Sequence, residues 1–316
     1  MEGIGRKLNI LITAIGGDIA QSAIRIVREV YPDFKIYGSD ASFQPFFSSS
    51  VDEFVLSPIG SDNQFIDWVR TFCIENEIDL VIPMAESEIS LLSVKQINKL
   101  PKILVANEKT VRIGLDKLET NKYLLSLGKF APEFYEDFSN ADISYPVIVK
   151  ERFGSGSKSI KLCKNFNQVQ FYYQQMQSPF IQELLFPADE EITCAVFRFI
   201  NGEIRVIQMH RKLSGGRTLW AKVISDDIVE KMCFFIASEL DLFGAMNIQL
   251  ILTAEGPKIF EINPRYSSTV EMRHKIGFSD LVWGINEHFG FPQHKYTAPS
   301  TKITVGRSDR IIVIGM

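Results

Sequence analysis

Several things are missing from this 316-residue chain, and each absence removes a class of function. Cys73, Cys163, Cys194 and Cys233 lie far apart with no CxxC spacing. They read as small apolar residues of a reduced, cytoplasmic protein rather than a disulfide framework. The four histidines, His210, His274, His288 and His294, lack zinc-ligand spacing. There is no basic run and the net charge is −4, so no nucleic-acid footprint is expected. No apolar segment approaches membrane-spanning length, and the run Leu8–Ile15 behind Arg6-Lys7 is too short for a signal peptide. No Ser/His/Asp or Cys/His nucleophile set is visible, and no Walker A loop. What remains is an ordinary globular composition, 46% hydrophobic and 23% charged, long enough for two or three domains and a substantial core.

The first hundred residues alternate strand and helix. Leu8–Ala14 is a continuous apolar run, as in a central parallel strand buried on both faces. Ile19–Val30 has helical periodicity with Asp18 as its expected N-cap. Lys35–Ser39, Asp79–Ile82 and Lys102–Val105 read as strands, and Asp62–Glu75 and Glu86–Leu100 as helices. This order predicts a parallel α/β sheet. Gly16-Gly17 at the first strand-to-helix turn, with Asp40 about 20 residues on, invites a dinucleotide reading. The full G-x-G-x-x-G is absent, because Ala20 and Ser22 occupy the later positions. A tight turn in a Rossmann-like fold is the preferred explanation, and a nicotinamide-dependent oxidoreductase is kept as an alternative.

Asn107 opens a short helix, and Asp116-Lys117-Leu118-Glu119 opens a longer one in capping-box spacing, running to Leu127 and stopping at Gly128. The strand Pro146–Lys150 then leads through Phe153-Gly154-Ser155-Gly156-Ser157-Lys158-Ser159 into the strand Ile160–Leu162. A Gly/Ser loop lets backbone amides approach a polyphosphate while lysines supply charge. The strand Phe180–Leu185 carries Glu183, and Glu191 follows about eight residues later at the start of another. Such acids suit an adenine edge and ribose hydroxyls, or are solvated loop residues.

The densest pattern is at Ala245–Ser268, where the apolar strands Met246–Thr253 and Lys258–Asn263 flank a turn carrying Gly256 and Pro257. Folded symmetrically about Glu255, the hairpin sets Gln249 opposite Glu261 and Asn247 opposite Asn263, all on one face. Four oxygen-bearing side chains in one patch suit a hard divalent cation. Arg265 adds a fixed positive charge just beyond. A bulge near Gly256 would break this pairing. Thr301–Ile314 alternates like a terminal hairpin.

In order, DKLETNKYL at 116–124, VIVKERFGSGSKSI at 147–160, IQELLFPADEEIT at 181–193 and NIQLI…KIFEINPRYSS at 247–268 resemble the ATP-grasp superfamily. The similarity is greatest to its carbamoyl-phosphate-synthase-like branch of carboxylate–amine ligases. TAIGGDIAQ at 13–21 and VIPMAESEI at 81–89 look like the domain preceding the grasp there, so the resemblance spans roughly residues 8–290. It implies an α/β chain with a Rossmann-like pre-ATP-grasp domain at 1–107, followed by a two-part α+β grasp. The small (lid) subdomain would be 108–185, and the large subdomain, with metal and substrate sites, 186–316. It implies an ATP-dependent carboxylate–amine or carboxylate–thiol ligase working through an acyl phosphate and releasing ADP and phosphate. A catalytically idle nucleotide-binding regulatory protein is the alternative.

By the same resemblance Lys117, Lys150 and the loop Gly154, Ser155, Gly156, Ser157 and Lys158 would hold the ATP phosphates. Glu183 with Leu184 and Leu185 would take the adenine, and Glu191 the ribose. Gln249, Glu261 and Asn263 would hold one or two Mg²⁺ ions, with Mn²⁺ as a substitute, and Arg265 would meet the transferring phosphoryl group. Arg211, in a basic loop that ends a strand, is the candidate for gripping the acceptor carboxylate bidentately. Tyr266-Ser267-Ser268 would line the same cleft, and Glu86 and Glu88 either face the amine or cap a helix. Glu151 and Ala195 depart from the usual pattern, where a proline and an acid are frequent. The implied partners are small-molecule carboxylate and amine substrates, with no nucleic acid and no membrane; a homodimer is allowed. One grasp unit without a glutaminase triad suits a stand-alone ligase better than full carbamoyl phosphate synthesis.

Overall fold

The computed structural model describes residues 7–94, 100–139, 142–154, 160–188 and 190–308. A parallel sheet comes first, from β1 (Asn9–Ile12), β2 (Lys35–Asp40), β3 (Glu53–Leu56), β4 (Leu80–Ile82) and β5 (Lys102–Ile103), in the order β3-β2-β1-β4-β5. Its helices are α1 (Asp18–Val30), α2 (Pro45–Ser48), α3 (Phe65–Glu75) and α4 (Glu86–Leu92). Two further helices, α5 (Glu108–Leu115) and α6 (Lys117–Ser126), lead into a small antiparallel sheet. That sheet contains β6 (Phe134–Tyr135), β7 (Val147–Glu151), β8 (Ile160–Cys163) and β9 (Pro179–Glu183), ordered β6-β9-β7-β8, with α7 (Phe166–Tyr173) on one face. The large antiparallel sheet is built from β10 (Glu191–Arg198), β11 (Ile204–Ser214), β12 (Arg217–Ile224), β13 (Gly244–Thr253), β14 (Gly256–Asn263) and β15 (Thr304–Gly306). Its order is β14-β13-β10-β11-β12-β15, and α8 (Asp227–Glu239), α9 (Val270–His274) and α10 (Asp280–Phe289) accompany it.

Ile10, Leu11 and Ile12 of β1 are buried, covering both faces as a central parallel strand requires. Leu11 faces Phe65 and Val69 of α3, whereas Ile10 and Ile12 join Ile24 and Val27 of α1. That second cluster continues through Phe197, Met209, Phe278 and Trp283, so the parallel sheet and one face of the large sheet share one core. The opposite face of the large sheet is covered by α8 and α5. Gly114 permits the close approach of α5 to β14, since a Cβ there would lie 3.0 Å from the Ile262 carbonyl oxygen and 2.8 Å from Pro264.

Several sequence expectations change. Gly17, in extended conformation, is the N-cap of α1, and Asp18 is its first residue with no side-chain cap bond. The helix expected from Asp62 begins at Phe65, because the Asp62 carbonyl is used in a turn with Phe65. The helix expected through Leu100 is assigned to Leu92, and residues 95–99 lie outside the described set. Two short elements gave no periodic signal, α2 and β3. Of the expected terminal hairpin Thr301–Ile314, Thr304–Gly306 pairs with Trp220–Lys222, and the returning half falls in residues 309–316, outside the described set.

Arg273 and Asp280 form an ion pair 2.6 Å long with both side chains 1% exposed. Arg273 also donates to the Ser267 and Thr269 hydroxyls, fixing the loop after β14. Removing one partner strands the other in a low-dielectric interior. Asp280→Ala is expected to lower unfolding free energy by about 3–5 kcal/mol in urea titration.

Candidate active site

The hairpin β13–β14 sets the geometry. Thr253 pairs with Gly256, leaving Ala254-Glu255 as a two-residue turn, so Gly256 and Pro257 belong to the strand rather than the turn. Counted from that turn, Gln249 would face Phe260. A bulge intervenes: Leu250 pairs with Ile259, and the next pair is Gln249 with Glu261. The additional residue is Phe260, and it restores the register of Gln249 with Glu261 and Asn247 with Asn263. The bulge thus lies four residues beyond the position where the sequence suggested one.

Phe260 also turns its carbonyl toward the small sheet, where it accepts a hydrogen bond from Lys150 Nζ at 3.1 Å. Lys150 is 3% exposed and lies over the Phe180 ring, 5.1 Å from its centroid. Burial pushes its ammonium group down to about 7; Glu261 opposes this shift and Lys117 reinforces it. Lys117, at the start of α6, donates to the Gly154 carbonyl at 2.5 Å and stands 3.4 Å from Glu261 Oε1. Asp116 caps that helix and pairs with Arg152, tying α6 to the end of β7. Gln249 and Asn263 are 8% and 5% exposed, and their amides have no hydrogen-bond partner among the described residues. Asn247 accepts from the Thr193 hydroxyl at 3.0 Å, and its Nδ2 is buried with no partner among the described residues.

Other candidates are engaged differently. Arg265 is held by Glu86 through Nε at 3.1 Å and Nη2 at 2.6 Å, so α4 of the first domain reaches the residue just past β14. Glu88 is buried, accepts from the Thr13 hydroxyl and the Ala85 amide, and caps α4. Burial raises its carboxyl above the usual range. Arg211 is not open to a ligand: its side chain is 7% exposed and forks onto Glu191 at 2.5 and 2.9 Å. Burial raises the Glu191 carboxyl, while Arg211 holds it down. Glu183 accepts from the Glu133 amide at 2.7 Å and approaches Lys258 at 3.7 Å. Leu184 is half-buried and Leu185 buried directly after β9. Ser155, Gly156, Ser157 and Lys158 lie outside the described residues. Of the two departures, Glu151 accepts from the Gln177 and Ser178 amides, stitching β7 to the approach to β9, and Ala195 is core. Asp40 accepts from the Gly16 amide at 2.8 Å, so it closes the glycine turn itself.

Gln182 was missed. It is 1% exposed, and its amide makes no hydrogen bond among the described residues. Val147, Val149 and Ile181 face α7, so the alternate residues Lys150, Phe180 and Gln182 share the opposite face. The parity of Gln182 with Lys150 was discoverable only with the β7–β9 register in hand.

Residues 115–269 match the ATP-grasp domain family. The chain carries an ATP-grasp domain. It is 20% identical over 244 residues to a carbamoyl-phosphate synthase of Methanobrevibacter smithii, covering 69% of this chain and 64% of that protein. The chain therefore spans less than two thirds of this relative. The fold is similar to N5-carboxyaminoimidazole synthetase from Staphylococcus aureus complexed with ADP, with TM-score 0.72, 16% identity, and 92% and 79% of the two chains covered. It is also similar to the biotin carboxylase domain of Hydrogenobacter thermophilus 2-oxoglutarate carboxylase, solved with MgADP and bicarbonate. There the TM-score is 0.73 and the identity 14%, with 93% and 72% covered. Lys117, Lys150 and the β13–β14 hairpin all lie within the matched residues. Among the described residues no three His, Cys, Asp or Glu side chains are placed to hold a metal, and two of the three oxygen donors here are amides. No helix is long and apolar enough to cross a membrane among the described residues.

Lys150 gives a direct test. Its folded value of about 7 lies below the ordinary 10.5, so between these pH values the unfolded chain holds a proton that the folded chain has released. Stability therefore rises with pH through that window. Lys150→Met is expected to remove this component of the slope, read by urea unfolding from pH 7 to 10, without loss of stability at pH 7.

Proposed function

We propose that this protein is an ATP-dependent ligase that joins a small carboxylate to an amine through an acyl phosphate, releasing ADP and phosphate. The observation that carries this reading is the convergence of Lys117, Lys150, Gln249, Glu261 and Asn263 in one cleft of the ATP-grasp domain. A carboxylate attacking the terminal phosphate of ATP brings anions together, so fixed cations must offset the repulsion. Lys117 and Lys150 supply that charge to the phosphates, joined by the loop from Gly154. An anion beside Lys150 favours its ammonium form, reversing the effect of burial. Arg265, oriented by Glu86, faces the phosphoryl group in transfer.

Gln249, Glu261 and Asn263 fit a hard cation, since all three offer oxygen and the amides of the buried Gln249 and Asn263 make no hydrogen bond among the described residues. Magnesium held there would supply neutralisation of the phosphate oxygens. The adenine edge falls to Gln182, whose amide can both accept from and donate to that base, as glutamine does elsewhere, together with the backbone at Leu184 and Leu185. Arg211 then orients Glu191 toward the ribose instead of gripping the acceptor. We divide the chain near residues 107 and 185, a reading supported by its three separate sheets. Four free, buried cysteines fit a reducing compartment, and we place the protein in the cytoplasm.

ADP release with MgATP is to be measured over a panel of carboxylates crossed with amines. At least one pair is expected to promote it, and Glu261→Gln should lower that rate by about 100-fold or more while leaving the unfolding midpoint unchanged. A wild-type rate in this variant, or no substrate-dependent ADP release from a protein that binds MgADP, overturns the ligase reading.

A further inference from the structure

Four segments distant in sequence meet beside the loop that follows Arg265. Arg307, just past β15, donates its backbone amide to Leu219 and its Nη2 to the Ser268 carbonyl at 2.5 Å. The Ser268 hydroxyl is tied to Thr218, with the Thr218 amide at 3.3 Å and its hydroxyl at 2.8 Å. Asp18, at the start of α1, approaches Arg307 Nη2 to 3.4 Å, and both side chains are about three-quarters buried, at 25% and 24% exposed. Arg217 opens β12 next to Thr218. Glu271 lies within the same field and is neutralised by Arg25 at 2.6 Å.

Buried arginine–carboxylate pairs elsewhere among the described residues close fully: Arg211–Glu191 at 2.5 Å, Arg265–Glu86 and Arg273–Asp280 at 2.6 Å. Arg307 and Asp18 do not. They make no hydrogen bond to each other, and Arg307 Nε and Asp18 Oδ2 are buried atoms with no hydrogen-bond partner among the described residues. Such orphaned polar atoms are uncommon and call for a cause. Arg217 has no acidic partner among the described residues, so Arg25, Arg217 and Arg307 outnumber Asp18 and Glu271 by one charge. Burial pushes the Arg307 guanidinium down, Asp18 and Glu271 oppose this, and Arg217 and Arg25 add to it. An added carboxylate would relieve that imbalance. With Arg211 closed on Glu191, Arg217 and Arg307, grouped beside the loop that follows Arg265, are candidates to grip a substrate carboxylate.

We propose that Arg217, Arg307 and Asp18 form the seat of a zwitterionic substrate, an amino acid whose carboxylate lies on the two guanidiniums and whose ammonium group lies on Asp18. Each charge of such a ligand meets its opposite, and the half-made Arg307–Asp18 contact is replaced by two complete ones. The seat draws on the glycine turn of the parallel sheet, β12, the loop after β14 and the carboxyl-terminal strand, so it is complete only when all four are assembled. As the substrate seat of the reaction, it rests on the ligase reading above; as a binding site it stands apart from it.

The test measures ADP release from saturating MgATP with each proteinogenic amino acid and with its counterpart lacking the amino group. At least one amino acid is expected to promote release, and its desamino counterpart to need about tenfold more for the same rate. Arg217→Gln and Arg307→Gln should each raise KM for that amino acid about tenfold, with the thermal shift given by MgADP unchanged, and Arg307→Lys should recover part of the loss. Asp18→Asn should raise KM for the amino acid and not for the desamino acid. Glutamine variants within about twofold of wild type, or desamino acids equal to amino acids, overturn the proposal. If no compound promotes ADP release, the ligase reading fails by itself. Calorimetric titration of the MgADP-loaded protein with amino acids then decides the seat: heat lost in Arg307→Gln supports it, and no heat from any amino acid overturns it.

Discussion

The site depends on one additional residue in a β-ladder. Without Phe260, Gln249 and Glu261 would fall out of register, and in a period-two structure a single-residue slip sends every side chain to the opposite face. The same bulge releases the Phe260 carbonyl from the ladder and offers it to Lys150, joining the small sheet to the large one. One local irregularity thus sets both the oxygen face and its contact with the facing lysine.

The cleft concentrates charge where solvent is scarce. Lys150 is buried beside Glu261 and Lys117, Glu191 beneath Arg211, and Glu88 behind the first turn. Burying a charge is costly unless it is paired or hydrogen-bonded, and groups held this way cluster where chemistry is done. Several are only partly satisfied: Gln182, Gln249 and Asn263 carry amides with no partner among the described residues. A chain selected for stability alone would have little use for buried residues whose amides make no hydrogen bond among the described residues. Rigid scaffolding surrounds them, with Arg273–Asp280 pinning the loop after Arg265 and Gly114 drawing α5 onto β14.

The amino-acid sequence was sufficient for the alternation of β1 to β5 with their helices and for the Asp116 cap, because period and capping chemistry are local properties. It misplaced the hairpin turn and reached the right register, since the error at Gly256-Pro257 and the unforeseen bulge at Phe260 cancel. Side-chain partners were not legible. Arg211 and Glu191 each suggested a ligand contact, yet they face one another from adjacent strands β10 and β11, and only the neighbouring strand shows this.

By itself the sequence determined which residue types were available and their order along the chain: the lysines, the Gln…Glu-x-Asn set and the arginine behind it. Tertiary structure alone decided which of them are free to act. It closed Arg211 onto Glu191, turned Gln182 to the face of Lys150, and brought Arg307 from the far end of the chain to within 3.4 Å of Asp18. The physical reason is range: helical and strand periodicity act over a few residues, whereas a charge is satisfied or left unsatisfied by whatever folding brings within hydrogen-bond distance of it.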